Sequence, residues 1–244
     1  MRVNGVELES RQIAGAEPAL VFLHEGLGSV GLWRSFPERL AAVTGRRALV
    51  YSRAGHGFSD VPGEPRTPRF MHDEALDVLP SVLAEAGISN PVLVGHSDGA
   101  SIALIHAASH PVRALVLLAP HVFVEDVSVA SIAEARETFE TTDLAERMGR
   151  YHRDAEATFR LWNDIWLAPE FRDWNIEDVL PRIAVPVLLI QGEHDQYGTL
   201  AQVEAIRDGV SGPCELVVLD CRHAPHLEAP GETLAAAADF VRRV

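Results

Sequence analysis

Five residues, Gly95-His96-Ser97-Asp98-Gly99, place a serine where an apolar run, PVLVGHS (91–97), passes into a helical pattern, GASIALIHAAS (99–109). The pattern is G-x-S-x-G in a strand-to-helix context. Small residues on both sides let a tight turn pass close to its neighbours and lift the hydroxyl above the sheet edge. There it meets the positive end of the following helix. A serine nucleophile needs a base, and the base needs an orienting acid. Both occur later in the chain. Asp195 ends the run PVLLIQGEHD (186–195), with Glu193 and Asp220 as alternatives for the acid. His223 and His226 follow the run CELVVLDC (214–221).

The choice between the two histidines is legible locally. Pro225 biases Ala224 toward extended backbone and can start a helix of its own. His226 would then lie in a first helical turn, where the dipole opposes a cationic ring. His223 is the better base. The oxyanion formed on attack needs preset N–H donors. One is expected from the backbone of Asp98, the residue after the nucleophile. The second is expected from the loop His24-Glu25-Gly26-Leu27-Gly28-Ser29, at Gly26 or Leu27. Read as structure alone, the same loop is a strand-to-helix turn with Ser29 as N-cap. The pattern His223-x-x-His226 lacks any companion metal signature, so no metal is expected.

These residues must be positioned by something, and the runs say what. ALVFLHE (19–25), ALVYSRA (48–54), PVLVGHS, ALVLLAP (114–120), PVLLIQGEHD and CELVVLDC are nearly continuous in Val, Leu and Ile. Strands buried on both faces of a parallel sheet read this way. Helical patterns lie between them at 30–43, 73–86, 99–109, 200–208 and 232–243, with a disturbance expected at Pro80. Strands alternating with helices give an α/β fold with a mostly parallel central sheet flanked by helices. Every candidate site residue then sits at a carboxyl end of a strand, where such sheets bind ligands.

One stretch, 121–182, breaks the alternation with charged helix faces and no strand. It divides the chain into a first core part (1–120), a helical cap (121–182) and a second core part (183–244). The cap carries Trp162, Trp166 and Trp174. These either form its private core or line a pocket. Trp162 and Trp166, four apart, share a helix face.

Composition sets limits. The 244 residues are 47% hydrophobic and 23% charged, enough for a sizeable core without disulfides or metal. A net charge of −14 disfavours nucleic acid and anionic membrane surfaces as partners. No run approaches the about 18 apolar residues of a membrane helix. Cys214 and Cys221 flank one expected strand, about 23 Å apart, beyond the reach of a disulfide. A soluble, cytoplasmic chain is expected.

The segments HEGLGS (24–29), RAGHGFSD (53–60), GHSDGA (95–100), GEHD (192–195) and RHAPHLEAP (222–230), in the order Ser, Asp, His, resemble the α/β-hydrolase superfamily over nearly the whole chain. The resemblance implies about eight mostly parallel strands and a lid over Ser97 formed by residues 121–182. It also implies hydrolysis of an ester, amide or carbon–carbon bond without a cofactor. Two departures stand out. The loop that commonly begins His-Gly reads His24-Glu25, and Arg222 replaces the glycine before the base. Glu25 is expected to turn away from the oxyanion and pair with Arg53.

The expected activity is a serine hydrolase acting on a carboxylic ester or similar small-molecule acyl compound with an apolar or aryl group. The alternatives are a carbon–carbon hydrolase, an amidase or aminopeptidase, an acyltransferase, or a non-catalytic ligand-binding member of the fold.

Overall fold

The computed structural model describes residues 1–62 and 66–244. A short hairpin of β1 (Arg2–Val3) and β2 (Val6–Glu7) leads into β3 (Ser10–Ile13) and β4 (Ala16–Leu23). Then follow α1 (Phe36–Thr44), β5 (Arg46–Tyr51), α2 (Phe70–Asp73), α3 (Leu79–Glu85), β6 (Val92–His96), α4 (Asp98–Ala107) and β7 (Ala114–Leu118). The helices α5 (Asp126–Thr141), α6 (Leu144–Met148) and α7 (Ala155–Trp166) come next. The chain returns to the sheet with β8 (Val187–Gly192), α8 (Leu200–Gly209), β9 (Cys214–Leu219), α9 (Pro225–Glu228) and α10 (Pro230–Arg243).

Among the described residues seven strands form one sheet in the order β3-β5-β4-β6-β7-β8-β9. All neighbours are parallel except β3, which pairs antiparallel with β5. The continuous apolar runs follow from this placement. In β4, Ala19, Val21 and Leu23 enter one core with α2, α3 and α4, while Leu20 and Phe22 enter the other with α1 and α10. Alternate side chains point to opposite faces, so a strand covered on both sides must be apolar throughout.

Against the about eight strands that the resemblance implies, the described residues form seven in the main sheet plus the two of the hairpin. The strand missing from the sequence reading is β3, SRQI, whose polar side chains suit an edge. The helix expected over 30–43 begins only at Phe36. Pro37 sits in its first turn, where the missing N–H costs nothing. Ser29 is therefore not its N-cap. The disturbance expected at Pro80 takes the form of a π turn over Glu74–Val78, between α2 and α3.

Between β7 and β8, among the described residues, the only strand-like pairing is the single bridge Phe123–Asn175. Helices and two short 3₁₀ turns, Pro169–Phe171 and Glu177–Arg182, fill the rest. No helix among the described residues is long and apolar enough to cross a membrane. Cys214 and Cys221 are both free thiols.

Candidate active site

Ser97 joins β6 to α4 with φ +52° and ψ −120°, a conformation that L residues rarely adopt. Its two glycines explain how the turn fits. A Cβ on Gly95 would strike the Ala100 backbone, and one on Gly99 would strike the carbonyls of Leu23 and His24. Ser97 occupies the N-cap position of α4 but makes no cap bond. Its Oγ instead lies 3.0 Å from His223 Nε2. His223 Nδ1 lies 2.9 and 2.8 Å from the two carboxylate oxygens of Asp195. With Nδ1–H donated to the carboxylate, the Nε2 lone pair is left to accept from the serine hydroxyl.

Asp195 is itself held. Gln191 Nε2 donates to Oδ2 at 2.9 Å, and the Tyr197 N–H donates to Oδ1 at 2.7 Å. Burial pushes its carboxyl up. The His223 hydrogen bond and charge, with the Tyr197 N–H, outweigh that and hold it below the usual carboxylate range. The two alternatives for the acid lie elsewhere. Glu193 is exposed, and Asp220 meets His194 at the surface. The loop bearing His223 is fixed by Glu228, whose carboxylate accepts from the Arg222 N–H at 2.6 Å and the Ala224 N–H at 3.4 Å. Pro225 starts α9, and His226 packs against Trp33, Phe36 and His96 instead of facing the serine.

The loop after β4 is gripped by its carbonyls. Glu25 O accepts from His24 Nδ1 at 2.7 Å and from Arg53 Nη2 at 3.0 Å. Gly26 O accepts from His56 Nε2 at 3.0 Å. Leu27 O accepts from His152 Nε2 at 3.0 Å. The two ring nitrogens of His152 have fixed roles, because its Nδ1 accepts from the Gly57 N–H. Among the described residues the only cis peptide is Glu17–Pro18, so these peptides are trans. Their N–H groups point opposite to the gripped carbonyls. The N–H groups of Gly26 and Leu27 have no acceptor within the chain among the described residues, and neither does that of Asp98. Sequence reasoning missed this grip. His56 reads alone as a loop histidine, and His152 lies 125 residues from the carbonyl it holds.

A cavity of about 90 Å³ opens beside Ser97, lined by Leu27, His121, Ile132, Trp162, Trp166 and Tyr197 among others. Gly26 and His223 also line it. Trp162 packs so closely on Gly26 that a Cβ there would run into the indole. Trp166 Nε1 donates to Asp98 Oδ1 at 3.2 Å. Trp174 does not reach the cavity. It stacks on Phe171 and tilts against Trp166, so its placement in the pocket is corrected to core. His121, Tyr197, Ser128 and Ile132 line the cavity without having been singled out. His121 had a signal, since it lies three residues past the end of β7, at the carboxyl edge. Burial and the neighbouring His223 pull its pKa down to about 3, so its ring is neutral.

Glu25 does not pair with Arg53. The Arg53 guanidinium is spent on the carbonyls of His24 and Glu25. The Glu25 carboxylate turns to His96 Nδ1 at 3.3 Å, and Glu25 is one of the residues that line the cavity.

A sequence model described as alpha/beta hydrolase family matches residues 20–237, a span that holds Ser97, Asp195 and His223. The chain belongs to the alpha/beta hydrolase family. Similar curated proteins include the serine hydrolase BPHL of Mus musculus, 24% identical over 258 residues, covering 98% of this chain and 84% of that protein. An sn-1-specific diacylglycerol lipase of Danio rerio is 34% identical over 97 residues, and the match spans 40% of this chain and 29% of that protein. Among solved structures, the enol-lactonase from Burkholderia xenovorans superposes with a TM-score of 0.76 at 23% identity, covering 98% of each chain. That likeness is one of fold. Family membership supports hydrolysis as the class of reaction.

The carbonyl grip has a measurable consequence. His152→Ala frees the Leu27 carbonyl and lets the loop relax. Losing one oxyanion donor outright costs about 10²–10³ in kcat, and loosening the loop that carries the candidate donors should cost about tenfold or more. Steady-state kinetics should show the loss in kcat with KM nearly unchanged. A change confined to KM would mean that His152 only shapes the pocket.

Proposed function

We propose that the chain is a serine hydrolase that cleaves a carboxylic ester, or a similar acyl compound, with a compact apolar or aryl acyl group. The observation that carries this reading is the hydrogen-bonded chain from Ser97 Oγ through His223 to Asp195. Ser97 Oγ attacks the acyl carbon as His223 Nε2 takes its proton. The charge that forms on the carbonyl oxygen is met by the N–H groups of Asp98 and of Gly26 or Leu27. His223 then hands the proton to the leaving group. Water, deprotonated by the same ring, attacks the acyl-enzyme and releases the acid. Asp195 stays ionised throughout and steadies the imidazolium.

The residues from 121 to 182 serve in this reading as a cap over Ser97. The support is that Ser128, Ile132, Trp162 and Trp166 all face the cavity. A cytoplasmic setting accords with two free thiols. The cavity bounds the substrate. At about 90 Å³ it falls well below the roughly 300–1,000 Å³ of pockets that hold drug-sized ligands.

A series of p-nitrophenyl esters from acetate to decanoate tests the reading. The short esters should be turned over best, with kcat/KM at decanoate lower by about tenfold or more. Trp162→Ala enlarges the cavity and should move the optimum to longer chains. No ester turnover at any length, with turnover of amides or carbon–carbon substrates instead, would replace the ester assignment with one of its rivals.

A further inference from the structure

His96 is buried next to the nucleophile and has no part in the steps above. Both its ring nitrogens face acceptors. Nδ1 lies 3.3 Å from the Glu25 carboxylate, and Nε2 lies 2.8 Å from the backbone carbonyl of His223. A neutral imidazole carries one N–H and can serve only one of them. The ring would then set a lone pair against an oxygen. Protonated, it donates to both. The pair joins two loops that the reaction needs in register. Glu25 belongs to the loop that offers Gly26 and Leu27, and His223 belongs to the loop after β9.

We propose that His96 is kept as an imidazolium by Glu25, and that this buried ion pair positions the His223 loop against the oxyanion loop. The inference rests on the assignment of His223 as the base. His96 is a positioning residue, since it reaches the reacting atoms only through the His223 backbone. His56 gives an internal contrast. It too has two carbonyl oxygens at its ring nitrogens, but burial and the cations of Arg66 and Arg53 hold it neutral.

The charges around His96 favour its cation. Besides Glu25, the ionisable groups packed about it are Asp195 after β8, His223 and His226 after β9, and His121 after β7. Burial pulls its pKa down, but the bond and charge of Glu25, with the His223 carbonyl and Asp195, push it above the ordinary histidine value. On the Glu25 side, burial acts upward and the His96 bond and charge bring the carboxyl down to about 2. His226 is pulled down to about 3 by burial and by His96, so it is neutral.

A raised histidine pKa means that the pair is intact below it and is lost as pH rises through it. Turnover should therefore decline in alkali as His96 gives up its proton and the His223 carbonyl loses its donor. Glu25→Gln offers an isosteric amide that can donate to Nδ1 and leave Nε2–H for the carbonyl. That variant should hold His96 neutral and lose this alkaline decline. The deciding measurement is the nitrogen-15 spectrum of the imidazole rings, with His96 assigned by His96→Asn. In the native protein at pH 7.5 both His96 nitrogens should appear as N–H, and in Glu25→Gln only one. A neutral His96 in the native protein would overturn the inference, as would an unchanged alkaline decline in Glu25→Gln. The native spectrum needs no turnover, so it stands apart from any failure of the serine-hydrolase reading, which would appear as full activity in Ser97→Ala.

Discussion

Ser97→Ala should leave the protein folded and lower kcat by about 10⁶-fold, the scale seen when a serine nucleophile is removed. The fold should tolerate the change for reasons visible at the site. The Ser97 hydroxyl caps no helix and bonds only toward His223. Alanine carries the same Cβ, so the strained backbone at φ +52° is neither relieved nor worsened. Thermal unfolding should shift by about 1 kcal/mol or less. A variant that turned over substrate at the native rate would place the nucleophile elsewhere.

The second large effect separates two histidines three residues apart. His223→Ala removes the group 3.0 Å from Ser97 Oγ and should cost about 10³-fold or more in kcat. His226→Ala removes a ring that fills space, with centroids 4.9 Å from Trp33, 5.0 Å from His96 and 5.8 Å from Phe36. Its cost should appear in stability, on the order of 2–4 kcal/mol for a truncated buried ring. The effect on kcat should be far smaller. Parallel kinetics and thermal denaturation of the two variants check this. If His226→Ala lost the activity and His223→Ala kept it, the base would have been misnamed.

Much of the sheet was legible because a parallel strand covered on both faces has no freedom in composition. The runs at 48–54 and 91–97 could be little else. The edge strand β3 was not legible, since SRQI pairs through its backbone and its side chains need not be apolar. Ser97, Asp195 and His223 each carried a local mark, a turn or a strand end. The histidine grip on residues 25–27 carried none. His24, His56 and His152 bind backbone oxygens, and a carbonyl has no letter in a sequence. The partner of Glu25 has no mark in the sequence, where Arg53 on the adjacent loop offers an opposite charge. The structure gives Arg53 to carbonyls and Glu25 to His96. Among the tryptophans, helical spacing put Trp162 and Trp166 on one face. Trp174 lies outside that helix, and periodicity has no hold on it.

The proposed chemistry stands or falls with Ser97 as the nucleophile of an acyl transfer to water. A fluorophosphonate, which reacts with activated serines, tests it without knowledge of the natural substrate. One label per chain is expected in the intact mass, with loss of turnover in step with labelling and the label on Ser97 when the peptides are mapped. Label on another residue, or full turnover in a chain labelled at Ser97, would contradict it.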